Sequence, residues 1–446
     1  MTDANHSRMD AQRHTEFVPW FRAATPYIHG FRGRTFVIAF GGEVVADGKF
    51  VALTHDLNLL AALGVRLVLV HGARPQIEAR LKLRRARIRY VRDMRVTAEA
   101  AMADVKEATG RLRAEIEALL SMGLPGSPMA NATIRVASGN FVVGQPVGIV
   151  DGTDMLYTGE VRKVNTDFIQ KRLDDGEVVL LSSLGYSPTG EIFNLTLEDV
   201  AANVAIALRA EKLIFLMEQA GVADSNGQLV REITESDTQA LIARKPAGDD
   251  ASIYLPFAAK ACDAGVHRAH LISRHQDGAL LLELFTHNGI GTMVTQDPLE
   301  QMRTATIDDV GGVLRLIEPL EADGTLVKRS RERLEMEIGR FRVIEHDGKI
   351  VGCAALYPFK DSAAAELACL AVHADYRNVG AGERLLHALE DEARAAKLKR
   401  LFVLTTRASH WFIEQGFAEA TVASLPKARQ QLYNYQRRSK VLIKKL

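Results

Sequence analysis

One short segment of the sequence has residue types that suit the binding of a phosphate group. Arg377–Gly382 reads RNVGAG, and it lies between a predicted strand and a predicted helix. Gly380 and Gly382 carry no side chains, so a phosphate can approach the backbone closely. Backbone N–H groups at a helix start point outward, and the helix dipole favours anions there. We therefore predict an anion-binding loop, with a plain strand-to-helix turn as the structural alternative.

The elements that precede this loop indicate a large α/β domain. Arg34–Gly42 (RTFVIAFGG) and Val65–Gly72 (VRLVLVHG) are continuous apolar runs that end in glycine, which is typical of buried parallel strands. Ala98–Leu120 has helical spacing, and two further runs resemble buried strands: Val178–Leu184 and Lys212–Met217. The alternation of strands and helices predicts a mostly parallel sheet over residues 25–295.

A second, smaller domain is predicted after a polar linker at residues 296–303, which contains Pro298. Residues 304–446 show two helical patterns, then a hairpin marked by His346-Asp347-Gly348, and then a strand, a helix and a further strand. These patterns predict an α+β domain of ordinary size. Residues 1–24 are polar and mixed in charge, and we predict a flexible tail there.

Composition excludes several classes of function. The 56 Lys and Arg residues nearly balance the 55 Asp and Glu residues, which argues against a general nucleic-acid binder. Three cysteines are too few for a disulfide scaffold or a four-cysteine zinc site, so we expect no metal. The N-terminus lacks the apolar core of a secretory signal, and no apolar run reaches the length of a membrane span. We expect a cytoplasmic protein that binds neither nucleic acid nor membranes.

Several motifs resemble known families. The R-x-x-G-x-G spacing resembles the acetyl-CoA pyrophosphate loop of the GNAT acetyltransferases, and Trp411–Phe417 (WFIEQGF) resembles their second cofactor-side motif. The front domain resembles the amino-acid kinase fold. The whole chain after the tail resembles the bacterial N-acetylglutamate synthases, most clearly in three runs: Glu366–His373 (ELACLAVH), Leu401–Arg407 (LFVLTTR) and Gln431–Leu442 (QLYNYQRRSKVL). The resemblance implies a three-layer amino-acid kinase-like domain followed by a GNAT domain.

The resemblance also implies a reaction. An acetyl group would pass from acetyl-CoA to the α-amine of L-glutamate, giving N-acetyl-L-glutamate and CoA in the first step of arginine biosynthesis. Glu366 is the expected general base, and Thr405 the expected hydroxyl near the reacting atoms. The expected acetyl-CoA contacts are Cys369, Leu370, Ala371, Val372, Arg377, Asn378, Val379, Gly380, Ala381, Gly382 and Glu383. Of these, the backbone N–H of Cys369 or Leu370 is expected to bind the thioester oxygen.

Two structural alternatives accompany these roles. Glu366 could be an edge-strand residue in a salt bridge, and Thr405 a β-branched residue placed where strands favour it. Cys369 invites a covalent acetyl-cysteine mechanism, but the nearest histidine in sequence, His373, is four residues away. A small apolar strand position explains Cys369 well. We therefore expect direct transfer without a covalent enzyme intermediate.

L-Glutamate carries two carboxylates, which guanidinium groups can bind bidentately. The resemblance implies substrate contacts from Cys369 and from four residues in basic runs: Arg329, Arg429, Arg437 and Ser439. The assignment of Arg437 rather than Arg438 stays open, because the tail is one residue shorter than in some relatives. Basic runs of this kind are otherwise typical of solvated surface.

The front domain departs from the amino-acid kinases at residues that handle phosphate. Their Lys-x-Gly-Gly loop is Ala39-Phe40-Gly41-Gly42 here, and their His-Gly-Gly-Gly loop is His71-Gly72-Ala73-Arg74. An Asn and an Asp of the family are replaced by Thr196 and Glu198. Phosphoryl transfer depends on positioned cations, so we predict a kinase-like domain without kinase activity.

The resemblance to arginine-sensitive relatives implies an allosteric site for L-arginine as a feedback inhibitor. Its expected residues are Tyr27, Ser273, Glu283, Gly289, Gly291 and Thr292. The structural alternatives are an amphipathic-helix residue for Tyr27 and a surface charge for Glu283. The resemblance further implies a homo-oligomer, commonly a hexamer. Three other functions stay open: a bifunctional synthase and kinase, a non-catalytic arginine-sensing protein, and a protein-lysine acetyltransferase.

Overall fold

The computed structural model describes residues 2–242, 249–286, 289–296, 300–346, 348–377 and 380–446. The chain divides into two compact units, Met1–Asp297 and Pro298–Leu446. Each unit has its own main β-sheet and its own hydrophobic core.

The first unit contains ten described helices and sixteen described strands. The helices are α1 (Thr2–Phe31), α2 (Glu43–Ala46), α3 (Phe50–Ala62), α4 (Arg74–Leu83), α5 (Glu99–Leu120), α6 (Thr166–Asp174), α7 (Leu197–Leu208), α8 (Glu235–Ile242), α9 (Asp250–Asp263) and α10 (Ala279–Phe285). The strands are β1 (Thr35–Phe40), β2 (Arg66–His71), β3 (Tyr90–Val91), β4 (Met94–Arg95), β5 (Val136–Ala137), β6 (Val142–Pro146), β7 (Ile149–Val150), β8 (Thr153–Asp154), β9 (Gly159–Val164), β10 (Val178–Ser182), β11 (Leu184–Tyr186), β12 (Ile192–Asn194), β13 (Lys212–Met217), β14 (Glu232–Thr234), β15 (Arg268–Ser273) and β16 (Thr292–Thr295).

An eight-stranded sheet forms the centre of this unit, in the order β14-β16-β15-β13-β1-β2-β10-β5. Its described strand pairs are parallel except β15–β16. Alternate residues of β1 enter opposite cores: Val37 and Ala39 join one cluster, while Phe36, Ile38 and Phe40 join the other. Burial on both faces explains why the strand is apolar throughout. The predicted three-layer α/β fold is confirmed.

The second unit contains five described helices and seven described strands. The helices are α11 (Val310–Ala322), α12 (Arg331–Glu337), α13 (Ala381–Ala395), α14 (Ser409–Glu414) and α15 (Lys427–Gln431). The strands are β17 (Glu300–Thr304), β18 (Phe341–His346), β19 (Lys349–Phe359), β20 (Ala364–Val372), β21 (Arg400–Thr405), β22 (Ala418–Ala420) and β23 (Lys440–Lys445). They form one sheet in the order β17-β18-β19-β20-β21-β23-β22.

The parallel strands β20 and β21 separate partway along their length. Their pairing runs from Ala364↔Arg400 to Leu367↔Val403 and, within the described residues, extends no further. On its other side β20 stays paired with β19 as far as Val372, across a register shift. We call the resulting opening beside residues 368–372 the β20–β21 gap. A bulge bends its strand and increases the local twist, which suits a separation at this point.

The N-terminus differs from the predicted flexible tail over residues 1–24, because α1 begins at Thr2. Apolar residues at helical spacing explain the helix: Phe17, Trp20, Phe21, Ala24 and Ile28 lie three or four positions apart. Ala24 is buried, whereas Phe17 and Trp20 are about half exposed. The overall polarity of the segment concealed this pattern.

The predicted linker, residues 296–303, is too long at its C-terminal end. Glu300–Thr304 form β17, which pairs with β18 at the edge of the second sheet. Arg303 on β17 donates to Asp309 at 2.7 Å and to Glu345 at 2.5 Å. Ion pairs that are partly shielded from water attach this edge strand to the second unit, although the sequence around it is as polar as a linker.

The Arg303–Asp309 pair predicts a specific pH dependence of stability. The hydrogen bonds from Arg303 lower the pKa of Asp309 to about 2. A carboxyl group whose folded pKa lies below its unfolded value stabilises the fold above the unfolded pKa, near 4, and loses this contribution as the pH falls toward 2. In a Trp20→Phe background, where Trp411 is the remaining tryptophan, Asp309→Asn should lower the unfolding free energy at pH 6. The difference from the parent should narrow between pH 5 and pH 3. The control Asp391→Asn changes an exposed carboxylate; a deficit for Asp309→Asn that does not vary with pH contradicts the assignment.

Candidate active site

The glycine-rich loop lies at the N-terminus of α13, as predicted. Gly380 is the N-cap residue with a left-handed φ of 79°, and no side chain caps the helix. A Cβ at Gly380 would meet nothing within 4 Å, so the space in front of the helix is open. A Cβ at Gly382 would lie 3.3 Å from the Trp411 ring, which packs against this turn. Open N–H groups on a helix of fifteen residues suit a phosphate.

The remaining loop residues surround this helix start. Arg377 is exposed, and its Nε lies 3.4 Å from the carbonyl oxygen of Val372. Glu383 accepts a hydrogen bond from the Trp411 indole at 3.3 Å, and Ala381 is buried. Asn378 and Val379, which we also predict to contact the cofactor, lie outside the described residues. The guanidinium of Arg377 is thus available to a ligand at the loop.

Four predicted cofactor residues lie along the β20–β21 gap: Cys369, Leu370, Ala371 and Val372. Their strand pairs with β19 on one edge, and the opposite edge has no strand partner within the described residues. Cys369 has a φ of 56°, a left-handed conformation that is rare for a side chain with a Cβ. An extended molecule with amide groups can pair with such an open edge, as peptides do when they add to a sheet.

Glu366 and Arg429 are paired with each other. The Arg429 Nε donates to Glu366 Oε2 at 2.6 Å, and its Nη2 donates to Oε1 at 3.0 Å. The Glu366 side chain is 13% exposed and that of Arg429 is 19% exposed, so water screens the pair only partly. The structure thus brings together the predicted base and a predicted substrate contact. The alternative that Glu366 forms a salt bridge describes this geometry.

Arg437 and Arg329 form a cationic pair within the second unit. An Arg437 Nη2 donates to the carbonyl oxygens of Gly324 at 3.0 Å and Thr325 at 2.5 Å. Its buried Nε has no hydrogen-bond partner among the described residues. Burial and the neighbouring charge of Arg329 both lower the pKa of Arg437. An anion placed between these guanidinium groups would relieve their repulsion. The neighbouring Arg438 is exposed.

Thr405 ends β21 at the opposite side of the β20–β21 gap. Its buried hydroxyl oxygen accepts hydrogen bonds from the backbone N–H groups of Ala408 at 3.0 Å and Arg407 at 3.3 Å. The hydroxyl therefore holds the turn into α14 and keeps its own proton for another acceptor. Ser439 contributes its backbone, whose carbonyl oxygen accepts from the Tyr433 hydroxyl at 2.7 Å.

Tyr357 in β19 is a neighbour of Arg329 that the sequence gave no reason to single out. Its hydroxyl donates to Glu337 at 2.7 Å, and burial together with this carboxylate raises the pKa of Tyr357 to about 12. It also hydrogen-bonds with Arg329. A tyrosine in a strand carries no sequence signal of such a contact, because the partners are distant in the chain.

The residues predicted to bind arginine cluster at one side of the first sheet. Glu283 in α10 is nearly fully buried and binds His270 at 2.7 Å through one carboxylate oxygen. Its other oxygen accepts from the N–H groups of Ile290 at 2.7 Å and Gly291 at 2.9 Å. Although burial opposes it, these hydrogen bonds lower the pKa of Glu283 to about 2. Glu283 is therefore a buried, ionised group, not the surface charge that was the alternative.

The glycines and Thr292 are positioned by close packing. A Cβ at Gly289 would lie 2.5 Å from Glu283 Oε2, and one at Gly291 would lie 2.4 Å from the carbonyl oxygen of Leu271. The Thr292 hydroxyl donates to Val230 at 2.6 Å and accepts from the N–H of Val222. These residues therefore fix the shape of the strand that faces Glu283.

Ser273 and Tyr27 complete the predicted set, and two further residues were missed. Ser273 ends β15 and accepts from the N–H of His275 at 3.2 Å. Tyr27 lies in α1, with its ring 6.1 Å from that of Phe31. The missed residues are His270 and the buried Lys212, whose Nζ lies 3.0 Å from His270 Nε2. Both lie inside apolar strand runs, where a single polar residue is easily taken as part of the core.

The carboxyl ends of the first sheet enclose a cavity of about 140 Å³. Its lining includes three half-buried carboxylates, Glu43, Glu198 and Asp250, the exposed Asp93, and two arginines, Arg74 and Arg95. Ala39, at the kinase lysine position, is fully buried within β1. Thr196 caps α7, since its hydroxyl accepts from the N–H of Asp199. Burial is the main cause that raises the pKa of each of the three carboxyl groups.

Comparison with known proteins decides the family. The Amino acid kinase family model matches residues 34–273, and the Acetyltransferase (GNAT) family model matches residues 314–417. The amino-acid acetyltransferase of Ralstonia nicotianae is 54% identical over 431 residues, which cover 97% of this chain and 96% of that protein. The one from Azotobacter vinelandii is 53% identical and is covered completely. The chain belongs to the bacterial amino-acid acetyltransferases, or N-acetylglutamate synthases.

A solved member of the family has the same architecture. The N-acetylglutamate synthase of Neisseria gonorrhoeae, complexed with coenzyme A and L-arginine, superposes with a TM-score of 0.88. It is 37% identical, and the match covers 97% of this chain and 99% of that chain. The same enzyme complexed with coenzyme A and N-acetyl-glutamate gives a TM-score of 0.62.

Membership confirms the predicted family, the predicted fold and the prediction that the chain is an enzyme. A GNAT acetyltransferase takes its acetyl group from acetyl-CoA, so the prediction that acetyl-CoA is the co-substrate is also confirmed. Within the described part of the chain, no group of three or more His, Cys, Asp or Glu side chains could hold a metal ion. No described helix is both long and apolar enough to cross a membrane.

The contacts of Thr405 predict that it has a structural role that can be separated from any catalytic one. Thr405→Val removes the oxygen that accepts from two backbone N–H groups in part-buried hydrogen bonds, and should lower the unfolding free energy by about 1 kcal/mol. Thr405→Ser keeps the oxygen and should restore most of that loss. Urea unfolding of both variants measures the difference. Equal destabilisation of the two variants contradicts the hydrogen-bonding role.

Proposed function

We propose that this protein transfers the acetyl group of acetyl-CoA to the α-amine of L-glutamate, and that L-arginine inhibits it through the first unit. The observation that carries the proposal is the β20–β21 gap. We infer that it lies between an anion site at the start of α13 and a carboxylate site at Arg329 and Arg437. A binding site for a phosphate-bearing acyl carrier and a binding site for a carboxylate thus adjoin one strand.

Acetyl-CoA fits the first of these features. The open N-terminus of α13, with Arg377 beside it, has the chemistry to hold the pyrophosphate. The pantetheine arm carries two amides and can lie along the open edge of residues 369–372. The N–H of Cys369 or Leu370 would then bind the thioester oxygen and stabilise the oxyanion that forms there.

L-Glutamate fits the second feature, the carboxylate site at the arginines. A carboxylate between Arg329 and Arg437 would use the unpartnered Nε of Arg437 and reduce the repulsion of the two cations. The other carboxylate can bind Arg429, whose guanidinium is hydrogen-bonded to Glu366 in this structure. We infer that the substrate takes over part of this guanidinium and releases a Glu366 oxygen for the amine. Two arginine anchors favour a dicarboxylate over a peptide lysine, which argues against the protein-lysine acetyltransferase.

The transfer is then a direct attack. Glu366 accepts a proton from the ammonium group, and the free amine attacks the thioester carbon to give a tetrahedral oxyanion. The C–S bond breaks as the carbonyl re-forms. The CoA thiolate leaves with little need of an acid because a thiolate is a weak base. We propose that the Thr405 hydroxyl, whose oxygen accepts from two backbone N–H groups, donates its proton toward that sulfur.

Regulation by L-arginine is assigned to the cluster around Glu283. A buried, ionised carboxylate beside backbone N–H groups and His270 can accept a guanidinium if the His270 contact is given up. The cavity of the first unit contains Arg74 and Arg95, but position 39 is alanine where the kinases have a lysine, and this loss of a positioned cation speaks against kinase activity. A homo-oligomer, commonly a hexamer, stays a prediction.

The decisive experiment measures CoA thiol release from acetyl-CoA by the whole protein with L-glutamate, L-glutamine or no amine. Release that needs L-glutamate, with N-acetyl-L-glutamate identified by mass, supports the proposal. Release without preference between L-glutamate and L-glutamine contradicts the dicarboxylate site. No release by folded protein that binds CoA favours the arginine-sensing alternative, and ATP-dependent phosphorylation of N-acetyl-L-glutamate favours the bifunctional one.

Arg437 should determine the affinity for glutamate. Arg437→Gln removes a charged, bidentate donor from the carboxylate and should raise the KM for L-glutamate at least about tenfold. The KM for acetyl-CoA should change little. Arg438→Gln, which removes a neighbouring exposed charge, is the matched control. If only the Arg438 variant loses glutamate affinity, the assignment of Arg437 is wrong.

Glu366→Gln should lower kcat by about 10²–10⁴, the usual contribution of a general base. Gln keeps one oxygen for Arg429, so the fold around the pair should persist. The deficit should narrow as the pH rises, because more of the substrate amine is then already deprotonated. The control Glu332→Gln changes an exposed carboxylate at the start of α12. A deficit that is constant from pH 7 to pH 10 contradicts the role of Glu366 as base.

Glu283→Gln should weaken inhibition by L-arginine. Loss of the negative charge removes the partner of the guanidinium, and the concentration of arginine for half inhibition should rise at least about tenfold. Glu115→Gln, on the exposed face of α5, is the control. The measurement is the ratio of rates with and without arginine for each variant. Unchanged inhibition in Glu283→Gln places the arginine site elsewhere.

A further inference from the structure

Two cysteines lie side by side next to the β20–β21 gap. Cys353 in β19 and Cys369 in β20 are buried free thiols. The Cys353 sulfur lies 3.5 Å from the carbonyl oxygen of Cys369, and the single proton of the Cys353 thiol is shared between this oxygen and the Cys369 sulfur. Strand register pairs Cys353 with Ala371 and then shifts. The bulge therefore brings into contact two thiols that regular pairing would separate.

The two thiols differ in their surroundings. The hydrogen bond from Cys353 and the nearby charge of Arg329 lower the pKa of Cys369. The same hydrogen bond and burial raise the pKa of Cys353. Cys369 also has the left-handed φ of 56° that marks it as the residue displaced by the bulge. One thiol thus favours the thiolate, the nucleophilic form, and its neighbour keeps a proton.

We propose that Cys353 and Cys369 are a site of reversible oxidation, which forms an intramolecular disulfide with a peroxide and thereby stops acetyl transfer. The Cys369 thiolate attacks a peroxide oxygen, the O–O bond breaks, and a sulfenic acid and hydroxide form. The Cys353 sulfur then attacks the sulfenic sulfur, the S–O bond breaks, and the Cys353 proton leaves with the oxygen. Two thiols are oxidised, hydrogen peroxide is reduced to two waters, and a thiol reductant reverses the bond by exchange.

The disulfide acts on the residue whose backbone adjoins the acyl group in the proposed function. Bonding to Cys353 draws the Cys369 sulfur toward β19 and away from Arg329, and it fixes the bulge that sets the direction of the Cys369 and Leu370 N–H groups. A displacement of about 1 Å in a site that positions reactants can cost about a hundredfold in rate. The effect on transfer rests on the proposed function, whereas formation of the disulfide does not.

The third cysteine provides a matched control. Cys262 is buried in the first unit, and its thiol donates to the carbonyl oxygen of Val294 at 3.3 Å. It resembles Cys353 in burial and in its acceptor, but its unit contains no other cysteine. Burial raises the pKa of Cys262 to about 12, so it is a poor nucleophile.

The test exposes the reduced, whole protein to graded hydrogen peroxide, stops the reaction with catalase, and alkylates the free thiols under denaturing conditions. Mass spectrometry should find Cys353 and Cys369 in one cross-linked peptide, lighter by two hydrogens than the sum of the two reduced peptides. Cys262 should be alkylated. CoA release should fall at least about tenfold and return with dithiothreitol. Cys262→Ser should behave like the wild type, while Cys353→Ser should lose the reversible component.

Three results would overturn the proposal. In the first, Cys353 and Cys369 are both alkylated at peroxide concentrations that inactivate the wild type. In the second, the disulfide forms and the rate stays unchanged. In the third, Cys353→Ser shows the same reversible loss as the wild type; Cys353→Ala replaces this variant if the serine variant does not fold. If the wild type has no glutamate-dependent activity at all, the proposed function fails, and the peptide map still decides the disulfide.

Discussion

The separation of β20 from β21 after Leu367 and Val403 is the constraint on which the second unit's chemistry depends. If the two strands stayed paired to their ends, the backbone N–H and C=O groups of residues 369–372 would be hydrogen-bonded to β21 and could not bind a ligand. The bulge against β19 and the left-handed Cys369 accompany the separation. Because β20 ends at Val372 and α13 begins at Ala381, the open strand edge and the helix start where we propose that a phosphate binds are neighbours along the chain.

In the proposed function, the arginines beside this gap bind the carboxylates of the substrate. The charge of Arg329 contributes to the lowered pKa of Arg437, and one buried nitrogen of Arg437 lacks an acceptor among the described residues. Arg429, by contrast, donates to Glu366 through two nitrogens and to the carbonyl oxygen of Leu432 through the third. A dicarboxylate with an amine would rearrange both sets at once, which links substrate binding to the release of the base. In the first unit, Glu283 resembles Glu366 in that its charge already has partners within the chain, namely His270 and backbone N–H groups.

Sequence patterns predicted what depends on local burial and turn geometry. β1 is apolar from Phe36 to Phe40 because both of its faces are covered, and Gly380, directly before α13, has the left-handed φ that the turn requires. Helix α1 could have been predicted from the spacing of Phe17, Trp20 and Ala24, but composition concealed it. The Glu366–Arg429 pair and the contact of Cys353 with Cys369 could not have been predicted from the sequence. Tertiary packing brings the first pair together, and an irregular strand brings the second pair together. Pattern alone locates strands, not the bulges within them.

The central claim is that the open edge of β20 holds acetyl-CoA while glutamate attacks directly, with both substrates bound together. The most direct measurement is the initial rate of CoA release over a grid of acetyl-CoA and L-glutamate concentrations, with acetyl-CoA alone as a separate series. Direct transfer predicts intersecting double-reciprocal lines and no burst of CoA in the absence of glutamate. Parallel lines, or one equivalent of CoA released without glutamate, would show a covalent acetyl-enzyme and contradict the claim.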